Sequence, residues 1–162
     1  MNQRGKLFRR GSTIARRRSG AAIVEAALVL PFLMMFLLGV MEYGRYVMML
    51  HVLQNAAREG ARYAIAHTEP VVISGVSYGN TTTDVTNVVN NFMAGRTLSS
   101  QTVQVYLSDT SGNNIGTWTN AQAGDLICVR ISGNFNFIVA SLLRTSSSLS
   151  VQVRSVMRNE AT

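Results

Sequence analysis

The stretch RRRSGAAIVEAALVLPFLMMFLLGVMEYGR, residues 16–45, decides how the rest of the chain is read. From Ala21 to Met41 it is apolar apart from Glu25, and about 20 such residues in a helix cross the roughly 30 Å hydrocarbon core of a bilayer. A cleavable secretory signal has an apolar region of only about 7 to 15 residues, with a small-x-small site close behind it. Here the small residues Ala64 and Ala66 lie too far downstream, in what reads as continuing helix. The segment is therefore expected to stay as an anchor. Pro31, in its middle, has no N–H to give to the carbonyl of Ala27, so a local kink is expected; neighbouring helices in a membrane can satisfy such an acceptor.

Charge sets the orientation. Seven of the 15 basic residues, Arg4, Lys6, Arg9, Arg10, Arg16, Arg17 and Arg18, precede Gly20, and no acidic residue occurs before Glu25. This leader holds the whole net charge of +7, because beyond Gly20 eight basic residues face eight acidic ones. The excess of positive charge just before the span predicts a cytoplasmic N-terminus and an exported C-terminal part. Tyr43 and Tyr46, just after the span, suit the exit interface. A neutral remainder has no general affinity for phosphate backbones, so no nucleic-acid partner is expected. A lone cysteine, Cys128, rules out an intrachain disulfide. It falls in the alternating run Leu126 to Val129, where it reads as a small buried residue. With no second cysteine and no spaced histidine pair, no metal is expected; no cofactor and no small-molecule substrate are expected either.

Glu25 asks for a function, since an acidic side chain at the centre of a span costs about 2.5 to 3.5 kcal/mol and less near an end. Alone, it reads as a carboxylate reaching toward the cytoplasmic headgroups. In context, Gly20-Ala21-Ala22-Ile23-Val24-Glu25 directly after Arg16 to Arg18 resembles the processing signature of type IV prepilins. The resemblance implies that a membrane prepilin peptidase cuts after Gly20, that Ala21 becomes the new N-terminus, and that Glu25 is the fifth mature residue. The cut would remove all seven leader charges and create an α-amino group with a pKa near 8. Glu25 on an adjacent subunit is the natural partner for that cation. At 4 Å the pair gains about 1 kcal/mol in bulk water and about 4 at an effective dielectric near 20. Desolvation offsets part of this, so the pair is expected to set axial register more than to stabilise.

Helical patterning continues past the span to about His67, an element on the order of 70 Å long. Leu50, Leu53, Ala57, Gly60 and Ala64 recur at steps of three and four, the spacing of a packed seam. The small residues in its far half would let a helix or a sheet approach closely, either from the protein's own domain or from a partner. Three stretches resemble the TadE-like family: Val24 to Pro31, Gly39 to Arg45 and Asn55 to Ala64. The segment Ala22 to Ala66 that contains them, which resembles the family throughout, covers a quarter to a third of the chain. Ala26 departs from the aromatic residue often found after the glutamate. The resemblance implies a minor pilin or pseudopilin of the tight-adherence (Tad/Flp) type IV pilus. Its expected partners are the prepilin peptidase, other pilins or pseudopilins, inner-membrane Tad assembly proteins and membrane lipid. A type II secretion pseudopilin is the nearest alternative, disfavoured because Ala21 replaces an aromatic first residue. A different class is an uncut, signal-anchored enzyme or sensor.

Beyond Pro70 the sequence turns polar and rich in Ser, Thr, Asn and Gly. Val85, Val88, Val89, Phe92 and Met93 predict an amphipathic second helix that stops at Gly95. Alternating runs predict strands over Thr102–Ser108, Asp125–Gly133 and Leu149–Met157, with Trp118 on a short edge strand. The expected fold is α+β and pilin-like: a transmembrane helix at 21–41 behind a leader at 1–20, a helical extension at 42–67, and an exported domain at 68–162 with a second helix and a three- or four-stranded antiparallel sheet. Gly75-Val76-Ser77-Tyr78-Gly79 satisfies the Gly-x-Ser-x-Gly hydrolase pattern, but His51 and His67 both precede Ser77, the reverse of the order such enzymes use. It reads as a glycine-rich turn. Asp84, Asp109 and Asp125 stand apart and read as turn and helix-start residues.

Overall fold

The computed structural model describes residues 15–69, 71–139 and 148–160. The basic leader up to residue 14 and Pro70 lie outside the described residues, and nothing is described of the side chains of residues 15–19, 71 and 76–78. The chain divides into two compact units, one ending at Val40 and the other beginning at Met41.

Helix α1 spans Ala15–Ala66, 52 residues, and is helical through Pro31. It starts inside the basic run and ends one residue before the expected stop. In the first unit its large apolar side chains are exposed, among them Phe32 at 70% and Phe36 at 68%. Among the described residues this is the one helix long and apolar enough to cross a membrane.

The second unit is α+β. After α1 comes a hairpin, β1 (Val71–Ile73) and β2 (Val76–Tyr78), joined by Ser74 and Gly75. Both turn residues have positive φ, 51° and 81°, the conformation that matches the twist of the strands it joins. The Gly-x-Ser-x-Gly pattern is therefore hairpin: Ser77 is a strand residue paired with Val72. Helix α2 covers Thr82–Met93. The strands β3 (Ser99–Ser108), β4 (Asn114–Gly116), β5 (Leu126–Asn136) and β6 (Ser148–Arg158) form an antiparallel sheet in the order β4-β3-β5-β6.

Alternation along the strands sorts their side chains onto two faces. Ile127, Val129 and Ile131 of β5, opposite Leu107, Val105 and Val103 of β3, face the core. That core is closed by Leu53, Ala56, Ala57, Ala61 and Ala64 of α1 and by Val85, Val89 and Met93 of α2. Gly60 sets the approach of the two helices, because a Cβ there would lie 2.7 Å from Cγ2 of Val89 and 3.4 Å from Cγ1 of Val129.

Two expectations are corrected. Trp118 is not on an edge strand: it opens a 3-10 turn, Trp118–Asn120, is 1% exposed, and donates its indole N–H to Thr82 Oγ1 at 3.3 Å. The short edge strand is β4, just before it. Phe92 is 48% exposed, since the buried stripe of α2 runs through Val85, Val89 and Met93, at steps of four.

Candidate processing and assembly site

Gly20, Ala21 and Glu25 all lie on exposed positions of α1. Nothing would meet a Cβ added at Gly20 within 4 Å. Glycine in a helix interior costs about 1 kcal/mol relative to alanine, so Gly20 locally lowers the stability of the helix. Among the described residues no side chain of the same chain pairs with Glu25. The large apolar residues around these positions, from Ile23 to Met41, stay exposed. A contiguous apolar surface of this extent marks contact with a membrane or with other apolar elements.

The positions of the predicted seam are taken up within the chain. Leu53, Ala57 and Ala64 are fully buried, Gly60 is buried and Leu50 is half-buried. The helix that approaches them is α2, and the sheet is the chain's own.

A second cluster follows the apolar stretch and was not foreseen. Glu42 is 7% exposed. It pairs with Arg45 three residues on and accepts the backbone N–H of Val139 at 3.4 Å. The Arg45 guanidinium lies 5.3 Å from the centre of the Phe135 ring. Phe135 meets Tyr46 edge-on at 5.5 Å and Phe137 at 5.1 Å, separations at which aromatic pairs attract beyond their area. The Glu42-x-x-Arg45 spacing, which puts two charges on one helix face, was the available signal. The partners in and just after β5, some 90 residues later, gave none.

The sheet face turned away from the core carries polar rows. Tyr106, Cys128 and Val156 stand side by side, as do Gln104, Arg130 and Arg154. The Arg130 guanidinium lies 5.2 Å from the Tyr106 ring centre, and its buried Nε has no hydrogen-bond partner among the described residues. The Tyr106 hydroxyl donates to the carbonyl of Gly112 at 3.2 Å. Burial, then its contact with Cys128, pushes its pKa up to about 12. Cys128 is buried, but on this face and not among the aliphatic core. At the β3–β4 turn, Asp109 accepts from the backbone and side-chain nitrogens of Asn113 at 2.8 and 2.9 Å and from the N–H of Ser111 at 2.8 Å. These bonds, those of Asn113 foremost, hold its pKa below the usual carboxylate value.

No group of three metal-ligating side chains occurs among the described residues. An open groove of 710 Å³ beside the C-terminal end of α1 has a single acidic residue, Glu69, and no histidine or cysteine in its lining. His67 stacks on Tyr63 at 4.0 Å and its Nδ1 lies 2.9 Å from the Tyr63 carbonyl.

These features define the class: an α+β protein built on one long N-terminal helix whose first part is apolar enough to cross a membrane. The family model described as TadE-like protein matches residues 20–62, and over this stretch the chain is similar to that family. The match begins at Gly20, includes Glu25, Glu42, Arg45 and Gly60, and ends before α2 and the sheet. No curated protein and no solved structure matches the chain.

Proposed function

We propose that this chain is a non-enzymatic minor pilin or pseudopilin that serves assembly of, or secretion by, a tight-adherence (Tad/Flp) pilus. The carrying observation is that the TadE-like match starts at Gly20, the position where the prepilin-type signature sets the cut. In this reading a prepilin peptidase removes residues 1–20 at the cytoplasmic face of the inner membrane. Residues 21–41 hold the chain in the bilayer as a single pass, and residues 68–162 lie outside the cytoplasm on the helical extension 42–67.

The chemistry follows from the positions. Cutting the helix at its glycine exchanges seven basic charges for one α-amino cation, while the apolar stretch keeps its hold on the lipid. Glu25, with no ion-pair partner among the described residues, then meets the Ala21 amine of a neighbouring subunit. Other pilins or pseudopilins and the inner-membrane Tad assembly proteins are the partners. Leu50, Leu53, Ala57, Gly60 and Ala64 contribute indirectly, by fixing the globular unit on the helix that enters the assembly.

The test replaces Glu25 by Gln in cells that carry the whole assembly system. The expected result is a processed subunit that stays in the membrane fraction and is lost from sheared filaments or their assembly complex. Normal incorporation of Glu25→Gln would remove the pairing role.

A further inference from the structure

The three long strands of the sheet, β3, β5 and β6, carry three arginines and no acidic residue. Two of these, Arg130 and Arg154, stand directly opposite each other on the outer face, in one row with Gln104. Like charges so placed destabilise a sheet, yet both are held where they are. The Arg130 guanidinium lies 5.2 Å from the Tyr106 ring centre, and its buried Nε finds no acceptor among the described residues. Arg154 reaches the β3–β4 turn, where its Nη1 donates to the Ser111 carbonyl at 3.2 Å. Its guanidinium is seated against Gly112, since a Cβ there would lie 2.6 Å from Nη1 and 3.1 Å from Cζ. Asp109, the acidic residue of that turn, is taken by Ser111 and Asn113. Neither arginine has an ion-pair partner among the described residues.

A fold that fixes two guanidinium groups side by side and brings them no carboxylate is arranged to receive one from outside, in the forked geometry that arginine favours. We propose that Arg130 and Arg154 form a binding site for a carboxylate side chain of a partner protein, which docks on the outer face of the sheet. Next to the arginine row, Thr102, Ser132 and Gln152 extend the face with hydroxyl and amide groups, all exposed or half-buried. Small ligands are held in concave pockets. An open sheet face is covered instead by another protein surface, where arginine is enriched. Two copies joined face to face through these strands would bring together arginines without a carboxylate, so the charge calls for a different, acidic surface. The site lies wholly in the α+β unit and stands whether or not the leader is cut.

The experiment follows the arginine Nε–H signals in the nuclear magnetic resonance spectrum of the isotope-labelled full-length chain in neutral detergent. Arg130→Lys and Arg154→Lys identify the two signals by their loss. The probe is the peptide acetyl-Gly-Glu-Glu-Gly-amide, compared with its glutamine counterpart and with inorganic phosphate. The expected result is a saturable shift of both signals with the glutamate peptide and none with the glutamine peptide. Arg154→Gln should weaken binding about tenfold. Arg158→Gln removes the same charge two rows away on the same strand face and should leave binding unchanged. The Trp118 indole N–H, bonded to Thr82, reports whether the fold is kept. Where Arg154→Gln disturbs it, Arg130→Lys, which keeps the charge and loses the fork, is expected to show the weakening instead. An equal loss in Arg158→Gln overturns the site in favour of diffuse charge. Tighter binding of phosphate assigns it to a free anion or a lipid headgroup and overturns the protein partner. Shifts that grow with protein concentration alone assign it to a second copy and overturn it too, as does the absence of any shift.

Discussion

Gly60 shows how much a single side chain decides here. Its missing Cβ is the space into which Val89 packs, and overfilling a close-packed core costs about 1 to 3 kcal/mol. Gly60→Leu should therefore lower the urea midpoint of the full chain in detergent, whereas Gly44→Leu, with nothing within 4 Å of the added Cβ, should leave it unchanged or slightly raised. The seam was legible because small residues at steps of three and four have few other uses. Which surface would fill it was not, since α2 is too short and too polar to announce its target. Tyr106 carries the clearest pH signature. Burial favours its neutral form in the folded state, so that stabilisation is complete below the ordinary phenol value near 10 and is lost as pH rises through about 12. A spectrophotometric titration should show a phenol with a midpoint near 12, missing in Tyr106→Phe, whose stability should fall less between pH 10 and 12.

At the level of elements, α2 is fixed by its start. Thr81 accepts the N–H of Asp84 at 3.1 Å, and the Asp84 carboxylate takes the N–H of Thr81 at 3.3 Å, a closed capping box. Thr81→Ala should cost about 1 kcal/mol and raise hydrogen exchange at the first amides of α2 before those of the sheet. This helix start and the three long strands could be read from the residues, because Ser/Thr-x-x-Asp spacing and period-two alternation are local patterns. The β1–β2 hairpin could not, because three-residue strands carry too few alternations. Trp118 misled for a related reason: an aromatic residue in a polar region suggests a strand, yet its place is set by Thr82, 36 residues away. The same distance problem hides the Glu42 cluster, where donor and acceptor are separated by 97 residues.

For the whole molecule, the chain has two solvents to satisfy. An exposed apolar helix serves one, and a small α+β unit with an aliphatic core serves the other. The TadE-like match covers the helix and leaves the sheet outside. The part legible in the sequence is thus the long helix with its apolar stretch. The sheet's outer rows, with Arg130 beside Arg154, had no motif to reveal them because their order is set by strand register. Everything in the functional reading turns on the state of the N-terminus. Mass spectrometry of the N-terminal peptide, from membranes of cells that contain the prepilin peptidase, measures it directly. The account predicts a chain that starts at Ala21, and a full-length N-terminus in the Gly20→Leu variant, which the open surroundings of Gly20 allow to fold normally. A wild-type chain that keeps its basic leader while pili assemble normally would contradict it.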